Sequence, residues 1–247
     1  MKVPSSKQLF SLILILAILA PIYMFFSYDV SILNSQYPHV VKEVNGRVDF
    51  ELKSGRPKSW VPLNQISPNL KWAIILSEDW SFYQHAGVDL EQVKVALEDM
   101  VTTSKFRGAS TITQQMVKNV FLSEDRTLWR KVHEIILAQK VERVLSKAKI
   151  LEVYLNCIEY GPGIYGIKAA SLHYFKKPPS ALSPREGAFL AMMLPSPKRY
   201  YVSFKRKKLT RFAIQRIRSI LIKMRMGKVI TPAEYLNEVG QKFTWEN

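Results

Sequence analysis

Near its N-terminus the chain has an uncharged apolar run, Leu9–Phe26, which reads LFSLILILAILAPIYMFF. A helix rises about 1.5 Å per residue, so this run would extend roughly 27 Å, close to the hydrocarbon thickness of a bilayer. Lys2 and Lys7 precede the run, and the next lysine or arginine is Lys42. The positive-inside rule then places the N-terminus in the cytosol and the rest of the chain outside.

A cleaved signal peptide is the alternative interpretation of this run. The one small-residue site, Ala17–Ala20, is followed by Pro21, and proline directly after the cut disfavours cleavage. Proline is tolerated inside a membrane-spanning helix. We therefore expect residues 1–8 in the cytosol and an uncleaved, single-pass transmembrane helix over residues 9–27. A mature chain that begins near Pro21 would contradict this expectation.

The chain is strongly basic, with 36 lysines and arginines against 20 acidic residues and a formal net charge of +16. Much of this charge is local, because no acidic residue occurs between Glu186 and Glu234. Such a charge favours anionic partners, which include nucleic acid, acidic lipid headgroups and phosphorylated substrates. The single cysteine, Cys157, excludes an intramolecular disulfide and a cysteine-rich metal site.

Beyond the apolar run, the sequence predicts a mainly α-helical protein with little strand. Residues 28–68 have the composition of a linker with short extended pieces, and Asn45–Gly46 is a hairpin-type turn signal. Gly161–Gly166 is a glycine-rich break. Apolar spacing and capping residues predict helices over Asn69–Ser81, Asp89–Met100, Trp129–Leu145, Lys147–Asn156, Ser183–Met193, Lys207–Met226 and a last segment from Thr231.

Five segments in the helical region contain residues that can carry chemistry. In the first, Ser77–Asp89, two carboxylates, Glu78 and Asp79, end an apolar helix and precede aromatic residues and His85. A carboxylate whose pKa is raised by apolar neighbours can act as a base near neutral pH. An acidic helix end with a capping histidine is the simpler interpretation of the same residues.

The other four segments are also ambiguous when each is taken alone. The second, Gly108–Asn119, reads GASTITQQMVKN, which offers many neutral hydrogen-bonding groups and one lysine. The third places Arg130 and Glu134 four residues apart, which by itself predicts only a surface ion pair. The last two, Ser146–Phe175 and Arg185–Tyr200, have the composition of helices, turns and a proline stop.

Taken together, the order, spacing and content of these segments closely resemble the peptidoglycan glycosyltransferases, the lysozyme-like family that polymerises lipid II. The family pattern Glu-Asp-x-x-Phe-x-x-His-x-Gly-x-Asp is matched over residues 78–89, and Arg-Lys-x-x-Glu over residues 130–134. Gly-Gly-Ser-Thr-Ile-Thr-Gln-Gln-x-x-Lys-Asn is matched over residues 108–119 at every position except Ala109. Alanine does not easily take a positive φ, so either this backbone position is ordinary or the loop differs slightly. All five elements occur in order over residues 70–200.

The resemblance implies a mainly α-helical fold, with a lysozyme-like head lobe and a small membrane-associated jaw lobe after the single N-terminal transmembrane helix. The glycosyltransferase domain would occupy residues 69–247, with the jaw lobe over residues 90–129. We expect the monofunctional form, because the chain has no room for a transpeptidase domain and no Ser-x-x-Lys element in a suitable context.

The resemblance also assigns roles to residues. Glu78 is expected to be the general base for the sugar 4-hydroxyl of lipid II, which attacks the anomeric carbon of the growing chain with inversion and releases undecaprenyl pyrophosphate. Glu134 is the second catalytic carboxylate, which organises the donor site. A divalent ion, Mg or Mn, on the pyrophosphate is an open expectation without assigned ligands, and no organic cofactor is expected. The substrate-binding residues that the resemblance implies are Asp79, Phe82, His85, Thr111, Gln114, Gln115, Lys118, Asn119, Arg130 and Lys131.

The expected partners are lipid II, the lipid-linked glycan chain, membrane lipid and proteins of cell-wall synthesis or division, at the bacterial cytoplasmic (inner) membrane. The basic segment Lys205–Arg225 either faces anionic headgroups or is a solvated face over core residues. Two other functions stay open. A lytic peptidoglycan hydrolase of the same fold would need only one acid. A membrane-anchored nucleic-acid-binding protein would use the basic charge, but the predicted outside location argues against it.

Overall fold

The computed structural model describes residues 7–10, 19, 23, 25–44, 47–103, 108, 110–122 and 127–247. Most of the predicted transmembrane helix lies outside these residues, as do the turn Asn45–Gly46, Ala109 and two parts of the predicted jaw lobe, residues 104–107 and 123–126. Within the described ranges, no helix is both long enough and apolar enough to cross a bilayer.

The fold is mainly helical, as the sequence predicts, and the predicted helices are confirmed to within about one turn at their ends. From residue 68 onward the described α-helices are α1 (Pro68–Glu78), α2 (Leu90–Thr103), α3 (Ile112–Phe121), α4 (Leu128–Val144), α5 (Lys147–Cys157), α6 (Ile167–Phe175), α7 (Pro184–Met193), α8 (Pro197–Tyr200), α9 (Val202–Lys205), α10 (Arg211–Met226) and α11 (Pro232–Gly240).

Hydroxyl side chains define where several of these helices begin. Thr111, Ser183 and Thr231 each form a capping box with a Gln or Glu three residues later, which satisfies two backbone N–H groups at the helix start. Helix α10 begins at Arg211 and not at the predicted Lys207. The hydroxyl of its N-cap residue, Thr210, accepts a hydrogen bond from the third helical N–H, and Lys207 has a φ of +50°.

The predicted linker, residues 28–68, is packed structure. Strands β1 (Tyr37–Val44) and β2 (Arg47–Lys53) pair in antiparallel register, which confirms the predicted hairpin. Val30 and Leu33 are fully buried in the core, and Trp60 is almost fully buried. The linker prediction fails because these apolar residues have no regular spacing, so only their tertiary contacts show that they are buried.

Two polar side chains of α5 fasten this N-terminal segment to the helical body. The carboxylate of Glu152 accepts hydrogen bonds from the indole N–H of Trp60 at 3.1 Å and from the N–H of Leu63 at 2.9 Å. The side-chain oxygen of Asn156 accepts from the N–H of Val61 at 2.8 Å, and its amide donates back to the Val61 carbonyl at 2.9 Å. The Glu-x-x-x-Asn spacing therefore places both side chains on one face of α5.

The predicted glycine-rich break is a second, smaller hairpin. Strands β3 (Glu159–Gly161) and β4 (Ile164–Tyr165) pair antiparallel after α5. The sequence predicts a turn here but no strands, since runs this short have no detectable alternation of apolar and polar residues.

Helix α7 lies at the centre of the core and is buried on all sides over most of its length. Helices α1 and α10 pack against it, and α3 packs against α4 and α5. The contact between α1 and α7 is close, because a Cβ atom at Gly187 would lie 3.0 Å from the Cα of Leu70. This packing fixes the end of α1, where Glu78 lies, relative to α3 and α10.

Candidate active site

Glu78 is the last residue of α1 and lies half-buried among α1, α3 and α10. Its Oε2 accepts a hydrogen bond from Nε2 of Gln115 on α3 at 3.1 Å. Removal from water raises the pKa of Glu78 above its ordinary value, whereas the Gln115 hydrogen bond and the cations Arg216 and Lys223 of α10 act in the opposite direction. A carboxylate in these surroundings is a stronger base than one in water.

Asp79, the next residue, is buried and turned into the protein. Its Oδ1 accepts from Nε2 of His85 at 2.8 Å, and its Oδ2 accepts from the N–H of Ile112, the first residue of α3, at 2.9 Å. Asp79 thus ties the end of α1 to the start of α3. This contact sets the distance between Glu78 and Gln115.

The loop after α1 is held by residues of the same motif. Phe82 is fully buried, and the ammonium of Lys147 lies 4.5 Å from its ring centroid while donating to the His85 carbonyl at 2.7 Å. Asp89 accepts from the N–H of Gln92 at 2.9 Å and from the hydroxyl of Ser81. These contacts hold the loop that follows Glu78 in the chain.

The glycine of this motif, Gly87, is required by two independent features. Its φ is +86°, which favours glycine, and a Cβ atom there would lie 2.8 Å from the backbone carbonyl of Ala138 on α4. The Gly87 carbonyl also accepts a hydrogen bond from the hydroxyl of Thr111 at 2.6 Å. The loop and α4 are in backbone contact here.

We expect Gly87→Ala to lower the free energy of unfolding by about 2–4 kcal/mol, because the new methyl group is strained in φ and collides with α4. The measurement is denaturant unfolding followed by circular dichroism. Gly55→Ala is the matched control, since nothing lies within 4 Å of a Cβ atom at Gly55. Equal unfolding midpoints for the two variants would contradict the prediction.

The second segment divides into structural residues and cleft residues. Thr111 and Gln114 are buried, and their side chains form the capping box that begins α3. The Thr111 hydroxyl and the Gln114 side-chain oxygen both bind backbone groups, and substrate binding by these two residues stays a prediction. Gln115, Lys118 and Asn119, which follow on α3, line a cleft.

Glu134 is the second predicted carboxylate, and it is buried on α4. Its Oε2 accepts from the guanidinium of Arg130 at 2.6 Å, and its Oε1 accepts from the ammonium of Lys131, which also donates to the Ser110 hydroxyl at 3.0 Å. The spacing alone predicts a surface ion pair between Arg130 and Glu134, but Glu134 is buried. Glu134 holds two cations in place at the start of α4.

A cleft of about 540 Å³ opens beside these groups. The predicted residues Gln115, Lys118, Asn119 and Arg130 line one part of it. Other lining residues come from the β1–β2 hairpin, from α5 and the second hairpin, and from the segment after α7. These residues, which the sequence does not single out as a site, include Asp49, Phe50, Tyr154, Tyr165, Ser196 and Lys198.

The structure thus separates the predicted site residues into two groups. In the first group, Asp79, Phe82, Thr111 and Gln114 are buried, and the side chain of His85 is 9% exposed. The second group lines the cleft and consists of Gln115, Lys118, Asn119 and Arg130. Besides the other lining residues of the cleft, the sequence does not single out Tyr154, which binds Gln115, or Arg216 and Lys223, whose charges act on Glu78. Tyr154 lies within a segment that the motifs include, but the sequence has no signal that brings the basic helix α10 to Glu78.

The cluster of Asp79, His85 and Asp89 and the carboxylate of Glu134 are poorly suited to hold a divalent metal ion. Asp79, His85 and Asp89 are the one group of three candidate ligands in the described ranges, and all four carboxylate oxygens already accept hydrogen bonds from protein donors. Both oxygens of Glu134 accept from cations, which would repel a metal ion. Neither this cluster nor Glu134 is therefore a suitable set of metal ligands, and a divalent ion stays a prediction.

Comparison with known proteins agrees with the geometry. Residues 45–225 match the family model described as Transglycosylase. A biosynthetic peptidoglycan transglycosylase of Brucella suis biovar 1 (strain 1330) is 41% identical over 186 residues, which are 75% of this chain and 80% of the relative. The protein of the same name from Thiobacillus denitrificans is 44% identical over 174 residues, 70% of this chain and 72% of the relative. That from Chromobacterium violaceum is 48% identical over 143 residues, 58% and 62%.

The protein is a helical enzyme in which the half-buried carboxylate of Glu78 lies beside a cleft whose lining includes Lys118, Arg130 and Lys198. The chain belongs to the transglycosylase family.

Proposed function

We propose that this chain polymerises lipid II into the β-1,4 glycan strands of peptidoglycan. The observation that carries the proposal is Glu78, a carboxylate of raised pKa that lies one hydrogen bond from the wall of a cleft lined by cations. The relatives named above are biosynthetic by name, and the lytic alternative is not favoured.

In the proposed reaction, Glu78 accepts the proton of the 4-hydroxyl of lipid II as the hydroxyl oxygen attacks the anomeric carbon of the growing chain. The bond from that carbon to the pyrophosphate oxygen breaks, and its electron pair leaves with undecaprenyl pyrophosphate. Attack from the opposite face inverts the α-linked donor to a β link. The chemistry needs a base and a cationic site for the leaving group.

The cationic site consists of Lys118, Arg130 and Lys131. Glu134 positions Arg130 and Lys131 through one carboxylate oxygen each. Charge-assisted contacts of guanidinium and ammonium groups to phosphate are stronger than neutral hydrogen bonds. A divalent ion, Mg or Mn, would enter with the pyrophosphate as part of the substrate, because the carboxylates of the site are engaged by protein donors.

The membrane brings enzyme and substrate together in this proposal. Residues 9–27 would anchor the chain in the cytoplasmic membrane with the catalytic domain outside, where the lipid tail of the substrate lies. The parts of the jaw lobe before and after α3, residues 90–107 and 121–129, would dip into the outer leaflet beside a lysozyme-like head lobe. Exposed apolar side chains on its described part support this placement, with Leu90, Leu128 and Trp129 exposed by 74%, 89% and 53%. Proteins of cell-wall synthesis or division are proposed partners.

The test is incubation of the purified full-length chain with labelled lipid II. We expect glycan polymer, inhibition by the glycan-site inhibitor moenomycin and release of undecaprenyl pyrophosphate. A parallel sample with a metal chelator tests whether a divalent ion accompanies the substrate. Shortening of preformed glycan without polymer formation from lipid II would support the lytic alternative and overturn the proposal.

We expect Lys118→Ala to lower kcat/KM for lipid II by about 10–100-fold, because one charge-assisted phosphate contact is lost. Steady-state polymerisation kinetics measure this effect. Lys242→Ala removes an exposed lysine near the C-terminus and serves as the control. Kinetics of Lys118→Ala that match the parent would remove this lysine from the phosphate site.

A further inference from the structure

A chain of three side chains crosses the site from α5 through α3 to α1. The hydroxyl of Tyr154 donates to Oε1 of Gln115 at 3.0 Å, and Nε2 of the same amide donates to Oε2 of Glu78 at 3.1 Å. Tyr154 is fully buried at the wall of the cleft, and its hydroxyl is directed at Gln115. Gln115 lies 37 residues from Glu78 and 39 residues from Tyr154 in the sequence, so only the packing of α1, α3 and α5 brings the three together.

We propose that Tyr154 is a positioning residue for the reaction, which orients the Gln115 amide so that its nitrogen and not its oxygen faces Glu78. This inference rests on the proposed function, in which Glu78 is the base.

The orientation matters because the two ends of an amide have opposite hydrogen-bonding character. An amide N–H donates to a carboxylate and stabilises the charged form, whereas an amide oxygen can only accept from a protonated carboxyl. The two orientations have nearly the same shape, so packing alone does not select between them. A donor that binds the amide oxygen from the other side does select between them.

Tyr154 is suited to be that donor. Burial raises the pKa of its hydroxyl well above the ordinary value, and the negative charge of Glu78 adds to this effect. The hydroxyl therefore keeps its proton over the whole range in which the enzyme works. It remains a donor to Gln115 while Glu78 gains and loses a proton.

The other charges around Glu78 are independent of this chain of hydrogen bonds. Asp79, its neighbour on α1, raises the pKa of Glu78, and Arg216 and Lys223 on α10 lower it. Removing the Tyr154 hydroxyl changes none of these groups. A change in the titration of Glu78 in a Tyr154 variant would therefore report on the orientation of the Gln115 amide.

We expect Tyr154→Phe to shift the acidic limb of the pH profile of kcat/KM upward by about 0.5–1 pH unit, with KM for lipid II nearly unchanged. The sign follows from the amide. Without the hydroxyl, the Gln115 oxygen can turn toward Glu78 and favour the protonated carboxyl, so the base form is lost at a higher pH. The assay is polymerisation of labelled lipid II by the full-length chain in detergent, from acidic to neutral pH.

Tyr160→Phe is the matched control. Tyr160 is equally buried close to the end of α5, and its hydroxyl donates to the Leu155 carbonyl at 3.5 Å, outside the chain to Glu78. We expect its acidic limb to coincide with that of the parent. Equal profiles for Tyr154→Phe and Tyr160→Phe would overturn the inference, whether or not both variants lose stability.

Gln115→Met gives a second test that leaves Tyr154 in place. It removes the donor to Glu78 and should shift the acidic limb upward, and adding Tyr154→Phe to it should cause no further shift. Additive shifts would overturn the inference.

If the parent forms no polymer, the proposed function fails. The inference is then tested by 13C NMR titration of Glu78, assigned with Glu78→Gln, where an unchanged pKa in Tyr154→Phe would overturn it.

Discussion

Glu78→Gln should reduce polymerisation of lipid II by about 10²–10⁴-fold, the range that a general base contributes. Glutamine keeps the shape of the side chain and can still contact Gln115, but it cannot accept the proton of the attacking hydroxyl. The measurement is the initial rate of polymer formation from labelled lipid II, with bound substrate measured separately. Substrate binding should change much less than the rate.

The control for this variant is Glu98→Gln, which neutralises an exposed carboxylate on α2. Its rate should equal that of the parent. Near-normal activity in Glu78→Gln would show that another group removes the proton. Activity lost through unfolding is distinguished by the thermal unfolding midpoint, which should not fall.

The pH dependence of the parent follows from the same group. Because burial raises the pKa of Glu78, activity should decline on acidification at a higher pH than an ordinary glutamate would give. The stability effect has the corresponding sign. A folded-state pKa above the unfolded value gives stability that is present below the unfolded pKa and lost as pH rises through the folded pKa. At neutral pH, therefore, Glu78→Gln should be at least as stable as the parent.

Glu134→Gln should lower kcat by about 10²-fold, because a single amide oxygen cannot hold both cations of the leaving-group site. In the structure, Arg130 and Lys131 each bind a different oxygen of Glu134. The free energy of unfolding should fall by about 2 kcal/mol, less than for a fully buried pair, since Lys131 retains contact with water. Polymerisation kinetics and denaturant unfolding measure the two effects.

Glu142→Gln separates the catalytic effect from the structural one. Glu142 is a buried carboxylate on the same helix, and it accepts from Thr113 at 2.5 Å and from Lys147 at 2.7 Å. This variant should lose similar stability and keep most of its activity under conditions where it is folded. A comparable loss of kcat in both variants would assign Glu134 a purely structural role.

Several features of the fold were accessible from local sequence because they depend on short-range contacts. The capping boxes at Thr231 and Ser183 join residues three apart, and the first pair of the β1–β2 hairpin, Val44 and Arg47, is also three residues apart. Because these signals act over a short range, they do not show burial that depends on residues far away in the chain. Residues 28–68 bury Val30 and Leu33 against distant helices, and nothing in their spacing indicates it.

A sequence motif does not distinguish a residue that contacts substrate from one that holds a helix. Thr111 and Gln114 form the capping box of α3, and their contact with substrate stays a prediction. Glu78 and Asp79 are adjacent and chemically alike. Helix α1 ends at Glu78, so the two side chains point in different directions. Glu78 binds Gln115 at the cleft wall, whereas Asp79 is turned inward to the N–H of Ile112.

The helical class and the order of the motifs could be predicted from the sequence, because helix periodicity, capping and motif spacing depend on residues close together in the chain. The surroundings of Glu78 and Glu134 could not, because they depend on how the helices pack. Gln115 of α3 binds Glu78 directly, Tyr154 of α5 binds Gln115, and the cations Arg216 and Lys223 of α10 act on the charge of Glu78. The pKa of a carboxyl depends on burial and on charges and donors within a few ångströms, and those neighbours are set by how helices pack.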